Sequence, residues 1–110
     1  MSSEPVRILI VDDEEGVRRT LEPILTRKGF EVVTVRTAEE ALRAAKERRF
    51  NVALLDIRLP DGKGVELLAP LRERHPHIGQ ILITGYASIQ TAVQAVNEGA
   101  QAYITKPVDV

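Results

Sequence analysis

Short aliphatic runs, each closed by a polar residue and followed by a helical stripe, constrain this chain more than any other feature. Val6-Arg7-Ile8-Leu9-Ile10-Val11 ends abruptly at Asp12-Asp13-Glu14-Glu15. A nearly continuous run of this kind reads as a strand buried on both faces, as in a parallel sheet. Val17, Leu21, Ile24 and Leu25 then fall at helical spacing, and Gly29 supplies a C-terminal stop. Residues 31–35 are short and β-branched, a second strand. Thr37-Ala38-Glu39-Glu40 has capping-box spacing, and Ala38, Ala41, Leu42 and Ala45 stripe the helix behind it.

The cycle then repeats. Residues 51–56 form a third strand, again ending in an acid. Pro60 and Gly62 mark a loop before a helix carrying Val65, Leu68 and Leu71. Residues 80–84 form strand four. Ile89, Ala92, Val93 and Val96 stripe a fourth helix, which Gly99 stops. Residues 101–105 form strand five, followed by Lys106-Pro107. Strands alternating with helices predict right-handed crossovers and one parallel sheet. Pro23 and Pro70 fall inside predicted helices, where each removes a hydrogen bond and bends the axis.

Composition narrows the function classes. The 110 residues fit one domain, spanning 1–110. Fifteen Lys+Arg against 16 Asp+Glu give a net charge of −1, without the basic footprint of a stand-alone nucleic-acid binder. The absence of cysteine excludes disulfides, thiol catalysis and Cys-ligated metals. No apolar run approaches the ~20 residues of a membrane span. Met-Ser-Ser-Glu-Pro lacks the basic and apolar regions of a signal peptide. A soluble, cytoplasmic domain is the expectation.

In an open parallel α/β sheet, ligands bind beyond the carboxyl ends of the strands, where strand order reverses. Those ends here hold Asp12 and Asp13 (strand one), Asp56 (strand three), Thr84 (strand four) and Lys106 (strand five). In the order 2-1-3-4-5, strands one and three are neighbours and the three carboxylates converge. Converging carboxylates repel unless a cation sits among them. Mg²⁺ fits, because it takes oxygen ligands and keeps positions for water and phosphate. Asp56 is then a candidate nucleophile toward phosphorus. Lys106 neutralises a phosphoryl oxygen and Thr84 donates a hydrogen bond to it.

Taken singly, each residue has an ordinary explanation. An Asp after a strand is commonly a cap, and Asp13 reads as a cap for the first helix as well. A lone Lys106 is a surface lysine, and Thr84 a good strand former. Glu14 and Glu15 favour a helix N-terminus through its dipole. His75 and His77 flank Pro76 with no acid or third His beside them and read as loop histidines. Arg43, Lys46, Arg48 and Arg49 are interspersed with Glu47 and read as a solvated helix face. The functional reading rests on coincidence: every strand end but that of strand two carries a residue suited to one phosphoryl-transfer site.

At this point the chain resembles a known family. Val11-Asp12-Asp13-Glu14, then Leu54-Leu55-Asp56-Ile57-Arg58-Leu59-Pro60-Asp61-Gly62, Ile83-Thr84-Gly85-Tyr86-Ala87 and Gly99-Ala100…Tyr103-Ile104-Thr105-Lys106-Pro107 are similar to the receiver domain of two-component response regulators. The similarity runs from about Arg7 to Pro107, and its last part is closest to the nitrogen-regulator type. It implies a flavodoxin-like (CheY-like) doubly wound fold of five parallel strands. It also implies that Asp56 accepts a phosphoryl group from the phosphohistidine of a histidine kinase or phosphotransfer protein. Asp12, Asp13, Asp56 and the backbone carbonyl of Arg58 would hold Mg²⁺. Thr84 and Lys106 would contact the phosphoryl oxygens, and Tyr103 would be the aromatic that turns inward as Thr84 moves. The Lys106–Pro107 bond is often cis in the family, in keeping with the near-restriction of cis peptides to proline. Arg58 and Tyr86 occupy positions that modulate how fast water removes the phosphoryl group.

The sequence departs from the family where a fifth helix normally follows. Without it, one helix alone covers that face of the sheet, and parts of strands one, three, four and five are expected to be exposed. The expectation is a receiver truncated after strand five, with its output domain or partner beyond residue 110. Homodimerisation through the fourth helix and fifth strand is one way to complete it; a marginally stable monomer is the other outcome. Catalysis would be confined to self-phosphorylation and self-dephosphorylation, so the chain is a signalling switch and not an enzyme acting on others. A phosphatase resembling the haloacid dehalogenases would want a second Asp where Arg58 stands. An unphosphorylated interaction module would be expected to lack one of the five site residues, and all five are present. An FMN binder would want Gly and hydroxyl residues where the loop after strand one is acidic.

Overall fold

Three of the five aliphatic runs find a neighbour on each side and the other two close the edges of one sheet. The structure is a computed structural model that describes residues 5–85 and 89–106, without the side chains of Ile89 and Thr91. Its elements run β1 (Arg7–Val11), α1 (Glu15–Arg27), β2 (Glu31–Val35), α2 (Ala38–Glu47), β3 (Val52–Asp56), β4 (Arg58–Leu59) and β5 (Gly62–Lys63). A 3₁₀ turn (Gly64–Leu67), α3 (Leu68–Arg74), β6 (Gly79–Thr84), α4 (Ile89–Asn97) and β7 (Ala102–Thr105) complete it. The main sheet has the order β2-β1-β3-β6-β7, all parallel, which is the expected 2-1-3-4-5. β4 and β5 form a small antiparallel hairpin where the sequence suggested only a loop.

Alternate residues of each strand feed two cores. Leu9, Val11, Ala53, Leu55 and Leu82 face α2, α3 and α4, and close on Ala41, Ala45, Leu68, Leu71 and Ala95. Ile8 and Ile10 face the other way, onto Leu21 of α1, with Val17, Leu25, Val32, Val52 and Leu54 around them. Burying a side chain of this size contributes about 1.5–3 kcal/mol, so the first core dominates by number. Gly29 (φ 97°) and Gly99 (φ 88°) end α1 and α4 in the left-handed region, as the sequence predicts. Thr37 Oγ1 accepts from the Glu40 amide at 3.1 Å, but Glu40 Oε1 reaches back to the Arg36 amide at 2.9 Å, one residue beyond a strict capping box.

Four expectations need correction. Asp13 does not cap α1: the N-cap is Glu14, whose side chain makes no capping bond. Pro70 does not kink a helix, because α3 begins at Leu68 and places Pro70 in its first turn, where amides lack intrahelical acceptors anyway. Pro23 does lie inside α1; it and Arg19 are exposed, where water can take the carbonyl it orphans. Among the described side chains of α4 the buried one is Ala95, whereas Val93 and Val96 are 53% and 72% exposed. Small alanine lets the helix lie close on the sheet, and the larger valines point outward. Finally, β1 is not exposed on the α1 side, since Ile8 and Ile10 are buried there. The uncovered apolar surface lies further along, with Val52, Leu54 and Ile81 half-buried and Ile104 exposed. Tyr86, Pro107 and Val110 lie outside the described residues.

Candidate functional site

Strand register brings the sequence candidates to one end of the sheet. β1 and β3 pair directly, Val11 opposite Leu55, so Asp12 and Asp56 leave adjacent strands side by side. Both are nearly inaccessible, at 2% and 4% exposure, while Asp13 is exposed. One carboxylate oxygen from each of Asp12, Asp13 and Asp56 lies within 4.8 Å of the others. On the far side, β6 pairs with β7, Thr84 opposite Thr105, and the Lys106 amide donates to the Thr84 carbonyl at 2.8 Å. That directs the lysine across the sheet end. Its Nζ lies 3.0 Å from Asp12 Oδ2, 3.1 Å from Asp56 Oδ2 and 2.7 Å from Glu14 Oε1.

Backbone contacts hold the acids in place. Asp12 Oδ1 accepts from the Glu14 amide at 2.9 Å, its own amide donates to the Val35 carbonyl, and the Arg18 guanidinium holds its carbonyl at 2.6 Å. Among the described residues, Asp56 Oδ1 takes a long contact from the Arg58 amide, 3.4 Å. Burial, and then the charge of Asp12, push the Asp56 carboxyl above the usual carboxylate range, against the opposing pull of Lys106. For Lys106, burial disfavours the charge, but hydrogen bonds to Glu14, Asp12 and Asp56 outweigh it and raise its pKa above the ordinary lysine value. Lys106 is therefore a fixed cation.

A cavity of about 370 Å³ opens outward from this cluster, lined by Asp13, Glu14, Asp56, Arg58, Leu59 and Pro60. Three hard oxygen donors beside it, two of them buried like charges, suit a hard divalent ion better than any soft metal. Thr84 is fully buried at the end of β6. Tyr103 pairs in register with Leu82, so it shares a face with Thr84 and packs against the larger core. Arg58 is exposed at the cavity mouth.

Three contributors are not evident from the sequence. Glu14, assigned there only to the helix dipole, makes the shortest contact to Lys106. Asp61 accepts from the amides of Ala38 and Glu39 at 2.8 and 3.0 Å, tying the hairpin after Asp56 to the N-terminus of α2. Gly64 packs against the main chain of Asp56 and Ile57. A local signal existed only for Asp61, as part of the Pro60-Asp61-Gly62 turn, whose long-range partner no local rule identifies. Both histidines follow α3 outside any helix or strand, as expected of loop histidines; the His75 ring nevertheless sits 3.0 Å from the Ala45 carbonyl, joining the end of α3 to α2, and His77 is exposed. Arg43 pairs with Glu39 along α2, and Arg48 reaches Glu31, in keeping with a solvated face.

Known proteins share this sequence pattern and fold. A family model described as the response regulator receiver domain matches residues 8–110. The response regulator PilR of Pseudomonas aeruginosa is 40% identical over 104 residues, 94% of this chain and 23% of its own, so the chain spans under a quarter of that relative. A response regulator from Burkholderia pseudomallei, solved with a phosphorylated aspartic acid, calcium ion and citrate, superposes with a TM-score of 0.90 at 39% identity, covering 96% of this chain and 62% of that one. The beryllofluoride-activated NtrC4 receiver domain dimer does so at 0.88 and 40%, covering 94% and 86%. Among the described residues no helix is long and apolar enough to cross a membrane. By sequence, strand order and the acidic end of its sheet, this chain belongs to the response regulator receiver domain family, a signalling domain of two-component systems, with nitrogen-regulator-type receivers among its relatives.

Proposed function

We propose that the domain accepts a phosphoryl group on Asp56 from a phosphohistidine of a histidine kinase or phosphotransfer protein, and signals through the change that follows. The observation carrying this is the placement of the Lys106 ammonium 3.1 Å from a buried Asp56 carboxylate, with Asp12 and Asp13 converging on it. A carboxylate oxygen of Asp56 forms the new bond to phosphorus as the P–N bond of the donor breaks and its electron pair returns to the imidazole. Asp12, Asp13, Asp56 and the Arg58 carbonyl would hold Mg²⁺. When bound, the ion neutralises charge on the phosphoryl oxygens. Lys106 binds one of those oxygens as a point charge. The Thr84 hydroxyl turns to another, and Tyr103, on the same sheet face, follows into the space that Thr84 vacates. The phosphoryl group adds roughly −1.5 to −2 charge, by analogy with other phospho-residues, enough to bias an existing equilibrium. No other substrate is transformed, so the domain is a switch.

The output is read outside residues 1–110, in a cytoplasmic setting, by a further domain or by a second copy. Among the described residues, exposed Val93 and Val96 on α4 and Ile104 on β7 offer apolar surface to either, and the uncovered sheet face beside β7 is where a further helix would lie. Intact-mass measurement after incubation with Mg²⁺ and acetyl phosphate, beside an Asp56→Asn control, tests the reading. One phosphoryl adduct, dependent on Mg²⁺ and absent from the control, is expected. A folded protein that takes neither an adduct nor beryllofluoride would overturn it.

A further inference from the structure

Lys106 has three N–H donors, and the structure gives it three carboxylate acceptors: Glu14 at 2.7 Å, Asp12 at 3.0 Å and Asp56 at 3.1 Å. Its hydrogen-bonding capacity is full. A phosphoryl oxygen can join Lys106 only if one of these contacts opens. The three are not equivalent. Asp12 and, until its own bond to phosphorus or beryllium forms, Asp56 are buried carboxylates, 3% and 5% exposed at their side chains, so an arriving group meets both still ionised, and depriving either of its cation carries a large desolvation cost. Glu14 is 56% exposed and lines the mouth of the cavity, where water replaces a lost partner at little cost.

We infer that Glu14 is a positioning residue that occupies the phosphoryl oxygen's place on Lys106 in the resting domain and is displaced when the acceptor site is loaded. Resting on the receiver function proposed above, this makes Glu14 a built-in competitor. It keeps the Lys106 ammonium turned toward the cavity mouth, between the buried acids and solvent, and it sets how much an incoming anion must displace. Glu15, the next residue, provides an internal control. It carries the same charge but pairs with Arg19 at 2.9 Å on the exposed side of α1.

The test is a beryllofluoride titration in the presence of Mg²⁺, followed by NMR, on wild type, Glu14→Gln and Glu15→Gln. The side-chain ammonium resonance of Lys106 is recorded separately without beryllofluoride or metal. Glu14→Gln is expected to lower the apparent Kd about three- to fivefold, the scale of one exposed ion pair, and to shift the Lys106 resonance. Glu15→Gln should do neither. Equal Kd values for the two variants would overturn the inference. So would a Kd change without movement of the Lys106 resonance, because net charge alone would then explain it. Failure of the folded wild type to bind beryllofluoride would instead sink the receiver function itself.

Discussion

Gly64 lies so close to the main chain of Asp56 that a Cβ placed on it would overlap the Asp56 carbonyl oxygen, with the carbonyl carbon at 2.9 Å and Ile57 Cα at 3.3 Å. The Gly64 amide also donates to the Ile57 carbonyl at 2.8 Å, so the turn after the hairpin braces the strand end that presents the candidate acceptor. Because the obstacle is backbone, a side chain cannot be accommodated by a rotamer change. Gly64→Ala is expected to cost about 1–3 kcal/mol by urea denaturation, the usual scale of overpacking. It should also slow acetyl-phosphate labelling beyond what the stability loss explains, and labelling at the wild-type rate would show that Asp56 does not depend on this brace.

Asp56 titrates higher in the folded protein than in the unfolded chain, because of burial and the neighbouring Asp12 charge. Over the window between the two values the folded state binds the extra proton, so stability falls as pH rises through it. Without metal, the contribution of Asp56 should therefore increase stability as pH is lowered from neutral toward the unfolded value near ~4. Asp56→Asn removes the repulsion at every pH. Thermal melts should show the variant more stable than wild type at neutral pH, with the gap closing on acidification. A variant that melts lower at neutral pH would contradict this assignment.

Mg²⁺ should reverse that ranking. A ligand that binds only the folded state at a hundred times its Kd adds about 2.7 kcal/mol. Titrating Mg²⁺ should raise the wild-type melting temperature progressively, and chelator should return it to the starting value. Asp12→Ala, which lacks one of the two buried oxygen donors, should respond much less.

Asp61 behaves in the opposite sense to Asp56. The Ala38 amide, and then the Glu39 amide, hold its carboxyl below the ordinary aspartate range. The stability it gives is present above the unfolded pKa and is lost as pH falls through the folded one. Asp61→Ala should lower the melting temperature at pH 7, with the deficit shrinking under acidic conditions where wild type also loses the bond. Asp61→Asn, which keeps one acceptor for the α2 N-terminus, should retain part of the effect.

Gln80 and Leu82 stand on the same face of β6 but contribute differently. The Gln80 amide nitrogen donates to the Leu68 carbonyl at 2.8 Å, while its Oε1 is buried without a partner among the described residues. One bond gained and one acceptor orphaned nearly cancel, so Gln80→Met should change stability by less than about 1 kcal/mol. Leu82→Ala, which empties a fully buried site, should cost about 2–5 kcal/mol. Chemical denaturation of the two variants separates them, and a large loss from Gln80→Met would show that the orphaned oxygen has a hidden partner.

The alternation of aliphatic runs with helical stripes was enough to determine the five main strands and a parallel sheet, because a strand buried on both faces reads as a continuous apolar run, whereas the order 2-1-3-4-5 came with the resemblance to receivers. Chain direction put Asp12, Asp13, Asp56, Thr84 and Lys106 at one end, since each ends a strand or follows one within two residues and parallel strands finish together. These are consequences of local periodicity and chain direction. Tertiary structure decided the rest. Whether Val93 or Ala95 faces the sheet depends on how closely α4 can approach it, and that distance is set by side chains on other elements. Glu14 meets Lys106 across 92 positions of sequence, Asp61 reaches α2 across 23, and Gly64 is tight only because Asp56 passes behind it. Each such contact joins segments whose separation no local rule encodes. The sequence thus determined which residues could do the chemistry, and packing determined which others hold them to it.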